Sequence, residues 1–269
     1  MKKLTQQEIS SLLYHDIFDY PLTTKELKKW SLRSPKTHSK IGYSSDKSYY
    51  FLQGKNQLVN QRLKNELASK NKNQIALSAS KLIGKIPTIK LIAVSGSLAM
   101  NNAAADSDID LLLITSADAL WVSRPLVYLL LKFNGYKIRK PKEKNEKDKL
   151  CLNLWMDEKE LTIYEQNAYT AHELAQLKPL ISKNNTYEKL LVANKWVLDY
   201  WPNSVEIRNS NFEILNKFKY LNVISNLLLY CLQRLYMSGK LTREQVSLHR
   251  AFFHPKDWHK EVEKKLHVK

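Results

Sequence analysis

The segment Leu91–Thr115, LIAVSGSLAMNNAAADSDIDLLLIT, limits most strongly what this chain can fold into. It contains an apolar run, a Gly96-Ser97 turn, a stretch of small residues and a second apolar run that begins around Asp108 and Asp110. Side chains alternate across a strand, so these two carboxylates project from the same face. Ten residues separate Ser97 from Asp108, which is enough for a short helix that returns the second strand alongside the first. The segment therefore predicts a small polar turn beside a pair of carboxylates.

This arrangement favours a particular chemistry. Mg²⁺ prefers oxygen ligands and is usually held by one or two carboxylates together with substrate phosphates. Two such ions about 3.5–4 Å apart can stabilise both the attacking and the leaving oxygen of an in-line displacement. Asp108 and Asp110 are suited to hold them, while Ser97 and the backbone N–H groups that follow it offer donors to an anion. The segment therefore indicates a nucleoside triphosphate as ligand.

The pattern hGS, about ten residues, then DhD in an apolar strand resembles the DNA polymerase β-like nucleotidyltransferase superfamily. The resemblance covers roughly residues 86–157. It implies an α/β (α+β) nucleotidyltransferase fold, with a small mixed sheet and flanking helices. It also implies that Gly96 and Ser97 hold the triphosphate and that Asp108 and Asp110 bind two divalent metals. The expected reaction is Mg²⁺-dependent transfer of a nucleoside monophosphate from an NTP, with ATP as the expected donor, to a hydroxyl group. The superfamily uses very different acceptors, so the acceptor stays open.

Sites of this superfamily usually contain a third carboxylate on a neighbouring strand. The next predicted strand is Leu150–Met156, and its polar mid-strand residue, Asn153, is not a carboxylate. Asp157 shares the parity of Asn153 at the end of the strand, and Asp148 precedes it. Either residue is a candidate for the third ligand or for the group that activates the acceptor hydroxyl.

Composition agrees with a cytoplasmic enzyme. The chain has 269 residues, 43% of them hydrophobic and 26% charged, which is enough for a sizeable core and two units. Cys151 and Cys231 lie in apolar segments without metal-type spacing, so we expect reduced core thiols. The first residues lack the apolar stretch of a signal peptide, and no segment predicts a bilayer span. No membrane partner is therefore expected.

The chain carries a formal net charge of +17, and +11 of it falls in residues 1–90. Such a field attracts polyanions, with nucleic acid as the obvious candidate. However, lysine far outnumbers arginine, the residue preferred for forked contacts with phosphates and bases. A surface charged for solubility explains the composition equally well, so nucleic-acid binding stays one of two interpretations.

The sequence predicts four parts. Residues 1–55 resemble a small winged-helix unit, with two capped helices and a hairpin, although its recognition segment Ser34–Lys40 is short and weakly helical. Residues 56–85 predict a linking helix, residues 86–165 the catalytic domain, and residues 166–269 an all-helical bundle. In the bundle, His172 and Glu173 are candidates for acid–base groups, but exposed helix positions explain them as well.

A second hypothesis is a non-catalytic regulator, which senses nucleotide or binds nucleic acid with the same fold. Asn153 and the basic N-terminal segment favour it. A third is a modifier of the toxin–antitoxin or resistance type, whose acceptor is a protein or a small molecule. The sequence does not separate these acceptors.

Overall fold

A computed structural model describes residues 3–33, 41–141, 143–207, 220–237, 245–253 and 258–266. Its N-terminal elements are α1 (Gln6–Asp16), β1 (Leu22–Thr23), α2 (Thr24–Lys29), β2 (Tyr43–Asp46) and β3 (Tyr49–Leu52). The three strands form an antiparallel sheet in the order β1-β3-β2. Both predicted capping boxes form, at Thr5 and at Thr23, because each threonine side chain accepts from the backbone of a glutamate three residues on. The predicted recognition segment lies outside the described residues, so the winged-helix assignment stays a prediction.

Helix α3 (Gln57–Ile83) joins this unit to the main sheet. Its buried Arg62 donates to Pro21 O and pairs with Glu26 Oε1 at 2.8 Å. Three turns later, Lys72 donates to Ser107 O at 2.7 Å and pairs with Asp148 Oδ1 at 2.8 Å. One rigid helix therefore anchors both the N-terminal unit and the chain that leads into Asp108.

The main sheet follows, and the predicted strands around Gly96 and Asp108 are present in it. The elements are β4 (Ile89–Val94), α4 (Gly96–Ala99), β5 (Ile109–Thr115), α5 (Leu120–Phe133), β6 (Leu150–Asp157), α6 (Ala168–Ala175), β7 (Lys178–Ser182), α7 (Thr186–Ala193), α8 (Val197–Tyr200), α9 (Tyr220–Met237), β8 (Gln245–Val246), β9 (Arg250–Phe252) and α10 (Trp258–Leu266). Within the described residues the strand order is β7-β4-β5-β6-β9-β8. Strands β5 and β6 are parallel, whereas the other neighbours are antiparallel. The mixed sheet with flanking helices agrees with a nucleotidyltransferase fold.

Each face of this sheet covers its own core. What we call the first face carries Leu91, Ala93, Leu112 and Ile114 and packs against α1, α2 and α6. The second face carries Ile92, Val94, Leu111 and Leu113 and packs against α3 and α5. Asp110 has the parity of Leu112, so it lies on the first face, on the side of α6.

The prediction of an all-helical region after residue 166 was wrong. Lys178–Ser182 forms an outer strand on β4, where Pro179 is tolerated because an edge residue need not donate to a neighbour. Arg250–Phe252 pairs with β6 inside the same region, 166–269, that was predicted to be all helical. Short runs of this kind carry too few residues for periodicity to separate strand from helix. Within the described part of the chain, every helix is too short or too polar to cross a bilayer.

Candidate active site

Asp110 and Gly96 are in direct contact at the point where β4 ends. The backbone N–H of Ser95 donates to Asp110 O at 3.0 Å, which fixes the turn against the start of β5. Gly96 has a φ of +59°, and a Cβ there would lie 2.9 Å from Asp110 Oδ2. Glycine is therefore required both by the backbone conformation and by the carboxylate. Ser97 is exposed at the start of α4, as a ligand-binding hydroxyl should be.

Asp108 lies at the entrance to β5 and faces cationic and sulfur groups. Arg139 Nη1 donates to Asp108 Oδ2 at 2.8 Å, while its Nη2 pairs with Glu146. Cys151 is opposite Asp110 in the parallel pair, and its Sγ accepts from Arg139 Nη1 at 3.7 Å. Ligand atoms of Asp108, Asp110 and Cys151 all lie within 4.8 Å of one another. The three side chains thus surround one small volume.

Placing two carboxylates in this space has an electrostatic cost. Burial, and then the charge of Asp108, raise the pKa of Asp110 to about 7. Burial is also the main reason why the pKa of the Cys151 thiol is raised, with Asp110 as the next cause. The thiol is therefore neutral at physiological pH. A cation would relieve the repulsion between the two aspartates.

Asn153 occupies the strand position where a third carboxylate was expected. Its Nδ2 donates to Asp110 Oδ1 at 3.2 Å, which orients the amide. Its Oδ1 is buried and has no partner among the described residues. The pairing of β5 with β6 shifts in register between Asp110 and Leu112. Cys151 and Asn153 lie on the side of Asp110, and beyond the shift the alternation of side chains along β6 is reversed. The amide therefore turns its nitrogen to Asp110, while its oxygen is buried without a donor.

The structure does not bring Asp148 or Asp157 to this site. The backbone N–H of Asp148 donates to Ser107 O at 3.1 Å, beside Asp108, but its carboxylate pairs with buried Lys72 and is not part of the cluster around Asp110. Asp157 is six residues beyond Cys151 in the same strand, about 20 Å away at the usual rise per residue. The register shift also turns this end of β6 over, since Met156 packs on the first face. Neither residue therefore supplies a third ligand, and the prediction from the sequence was wrong on this point.

Asp157 instead belongs to a second polar cluster. It is fully buried, and it accepts from the backbone N–H groups of Asp118 and Lys159. His249 Nδ1 lies 2.7 Å from its Oδ2, and Lys159 Nζ pairs with Asp118 at 2.6 Å. Every oxygen of Asp157 thus has a donor, and this carboxylate ties the turn after β5 to the ends of β6 and β9.

Glu173 is a further carboxylate on the side of Asp110. It lies on α6, whose Ala171 and Leu174 pack into the core of the first face. Gln176 Nε2 donates to its Oε1 at 2.6 Å. Burial, and then the charge of Asp110, raise the pKa of Glu173 to about 8. The partner candidate His172 is fully enclosed by aromatic rings, and burial lowers its pKa well below the usual value.

Sequence reasoning missed Arg139 and Cys151. Cys151 alternates with buried leucines and was interpreted as a core thiol, but its parity with Asn153 was a usable signal. Arg139 lies in the charged segment Lys137–Lys149, where nothing local indicates which of many charges turns towards the site.

The comparisons with known proteins agree with this geometry. Residues 73–197 match a family model described as a nucleotidyltransferase domain. No curated protein matches the chain. The matched segment contains Gly96, Ser97, Asp108 and Asp110 together with strands β4 to β7. Residues 73–197 are therefore a nucleotidyltransferase domain, and the resemblance to the DNA polymerase β-like superfamily is confirmed.

The residues present fit a divalent cation. The carboxylate oxygens of Asp108 and Asp110 are hard ligands of the kind that Mg²⁺ takes, and the amide that contacts Asp110 also carries a buried oxygen without a donor, Asn153 Oδ1. Cys151 would remain a neutral neighbour rather than a thiolate ligand. Arg139 must share Asp108 with the ion or move aside.

Proposed function

We propose that this protein transfers a nucleoside monophosphate from an NTP, with ATP as the expected donor, to the hydroxyl group of an acceptor, and that the reaction requires Mg²⁺. The observation that carries the proposal is the convergence of Asp108 and Asp110 beside a glycine turn. The family match supports transfer in general terms, whereas donor and acceptor are part of the proposal.

The chain's own residues have distinct roles in this scheme. Asp108 and Asp110 would hold the metal ions, and Gly96 and Ser97 would contact the triphosphate. Bound divalent ions would stabilise the negative charge on the transferred phosphate and on the leaving group. The acceptor oxygen forms a bond to the α-phosphorus, the bond from that phosphorus to the β-phosphate bridging oxygen breaks, and pyrophosphate leaves.

Glu173 is the group that we propose to accept the hydroxyl proton. It lies on the same side of the sheet as Asp110 and interacts with it electrostatically. An acid–base group works best when its pKa is near the working pH, and the pKa of Glu173 is about 8. Above about pH 8 its carboxylate is ionised and can accept the proton. The pairing of Gln176 with one oxygen leaves the other oxygen for the acceptor.

The proposal is tested by incubating the purified protein with Mg²⁺ and each α-³²P-labelled NTP. Cellular RNA, lysate protein and a small-molecule extract are offered as separate acceptor fractions. We expect label transfer by the wild type and by Asp106→Asn, a matched control in the exposed turn before the site. We expect none from Asp108→Ala or Asp110→Ala. Retained transfer in folded Asp110→Ala would overturn the assignment.

A second candidate is a regulator that binds nucleotide without turnover. The observations that favour it are Asn153 in place of a carboxylate and the Arg139–Asp108 ion pair at 2.8 Å, in which a guanidinium already balances the acidic pair. NTP binding without transfer in any acceptor fraction would support this candidate. Nucleic-acid binding that weakens steeply with salt and ignores Mg²⁺ would point the same way.

A further inference from the structure

A cavity of about 400 Å³ lies beside the candidate active site, on the side of the first face. This volume is in the range that holds small organic ligands in proteins. Its walls come from four parts of the chain: the N-terminal unit, the end of α4, the segment from α6 to α7, and residues 204–206 after α8. The residues that matter here are Tyr20, Lys29, Trp30, Asn101, Gln176 and Lys178.

Two walls connect the cavity to the catalytic groups. Helix α4 begins at Gly96, which contacts Asp110, and its other end reaches Met100 and Asn101 in the cavity wall. Four helical residues rise about 6 Å, so the cavity and the aspartates are one short helix apart. In the second wall, Gln176 faces the cavity and donates to Glu173. One side chain, Gln176, therefore separates a molecule in the cavity from the proposed proton acceptor.

Two lysines face this cavity without an ion-pair partner among the described residues. Lys178 Nζ donates to the neutral Asn101 Oδ1 at 2.9 Å, and Lys29 Nζ lies 4.7 Å from the centroid of the Trp30 ring. Burial lowers the pKa of both lysines, and the charge of Lys29 lowers that of Lys178 further. The two ammonium groups thus repel each other across the same space.

The charge of Glu26 raises the pKa of both lysines, but less than burial lowers it, and the carboxylate is paired elsewhere. Glu26 pairs with Arg62 Nη2 at 2.8 Å and accepts from Tyr20 Oη at 2.6 Å. Glu206 has a partner of its own. An anionic group from outside would therefore find two ammonium groups ready to bind it, beside the aromatic surfaces of Tyr20 and Trp30.

We propose that this cavity binds the acceptor, and that the acceptor is a small hydroxyl compound with a phosphate or carboxylate group, which Lys29 and Lys178 hold. This inference rests on the proposed nucleotidyl transfer. The cavity is partly open, and its volume is suited to one small molecule.

The first experiment tests the cavity without any turnover. The full-length protein is treated with pyridoxal 5′-phosphate, whose phosphate can bind one lysine while its aldehyde forms an imine with the other and releases water. Reduction with borohydride fixes the label, and peptide mass spectrometry locates it. We expect labelling at Lys29 or Lys178 at least about tenfold faster than at Lys28, an exposed lysine on the same helix outside the cavity.

Competition then identifies the ligand chemistry. Inorganic phosphate should protect Lys29 and Lys178, and it should do so equally in Asp108→Asn/Asp110→Asn, because the cavity does not use the aspartates. Equal labelling of Lys28, or labelling that phosphate leaves unchanged, would overturn the inference. Protection by a short RNA but not by phosphate would overturn it as well, in favour of a nucleic-acid acceptor.

The second experiment links the cavity to transfer. A small-molecule extract is separated by anion exchange, and each fraction is offered with Mg²⁺ and labelled NTP. We expect the acceptor in a retained fraction, and we expect Lys29→Gln/Lys178→Gln to need about 100-fold more of that fraction at an unchanged KM for NTP. Lys28→Gln should match the wild type. Unchanged transfer by the double variant would overturn only the assignment of the cavity. Absent transfer in the wild type would overturn the proposed function, and the labelling result would then be judged by itself.

Discussion

Replacement of Asp110 by asparagine should stabilise the metal-free protein at neutral and alkaline pH. The folded protein holds a proton on Asp110 up to about pH 7, whereas the unfolded chain loses it near 3.8. Over that window the native state binds more protons than the unfolded state, so stability falls as the pH rises. Above pH 7 the cost of the ionised carboxylate is complete, and Asp110→Asn removes it while keeping an acceptor for Asn153.

The size of this effect follows from the pKa. At about 1.4 kcal/mol per pH unit, a rise from 3.8 to about 7 corresponds to about 4 kcal/mol. Because the side chain is only partly buried, solvent screening reduces this, and we expect about 2 kcal/mol. For a chain of this size, about 2 kcal/mol raises the unfolding midpoint by roughly 4–8 °C.

The assay is thermal unfolding of the wild type and of Asp110→Asn at pH 5 and pH 8, with EDTA and then with Mg²⁺. The advantage of the variant should be small at pH 5 and full at pH 8. Mg²⁺ should raise the midpoint of the wild type only, since ligand binding to the native state stabilises it. Asp106→Asn, in the exposed turn, should match the wild type at both pH values and in its response to Mg²⁺. A variant that is less stable than the wild type at pH 8, or equally favoured at both pH values, would refute the reasoning.

Four further predictions concern neighbouring positions. Gly135→Ala should lower the free energy of unfolding by roughly 1–2 kcal/mol through backbone strain alone, because Gly135 has positive φ but no neighbour within 4 Å of an added Cβ. Gly96→Ala should lower it further, because its Cβ would also meet Asp110, and chemical denaturation of both variants measures the difference. Asp157→Asn should lower the free energy of unfolding by about 1–3 kcal/mol yet leave the kcat of nucleotidyl transfer unchanged, and a specific loss of kcat would restore Asp157 to the site. Asn153→Asp should tighten Mg²⁺ binding, measured by calorimetry, by adding a third carboxylate, and weaker binding would contradict the position assigned to Asn153. Glu173→Gln should lower kcat at least about 100-fold with little change in NTP affinity and should abolish the rise of kcat towards pH 8, whereas an unchanged pH profile would exclude Glu173 as proton acceptor.

The centre of the site was predictable because its signals are local. The glycine turn and the DhD strand lie within 25 residues of one another, and both patterns depend on alternation and turn geometry. The long helix Gln57–Ile83 and both capping boxes were predictable for the same reason. Each of these elements is decided mainly by residues close to it in the chain.

The other parts of the site depend on contacts between distant segments. Parity placed Asn153 on the side of Asp110, but it also suggested Asp157, because the register shift between β5 and β6 does not show in the sequence. Arg139 reaches Asp108 through a loop whose many charges look equivalent. Strands β7 and β9 form by pairing with the edges of β4 and β6. Non-local pairing of this kind leaves little trace in either strand.

The pairing of β9 with β6 has a consequence for how the chain is made. The matched segment ends at residue 197, yet Ala251 pairs with Trp155 and is fully buried in the sheet. During synthesis the N-terminal parts of a chain emerge first, so the edge of β6 stays open until the chain has left the ribosome as far as β9. An open strand edge is a template for pairing with other chains. Nascent chains and truncated versions that end after α8 should therefore depend on chaperones more than chains that include β9.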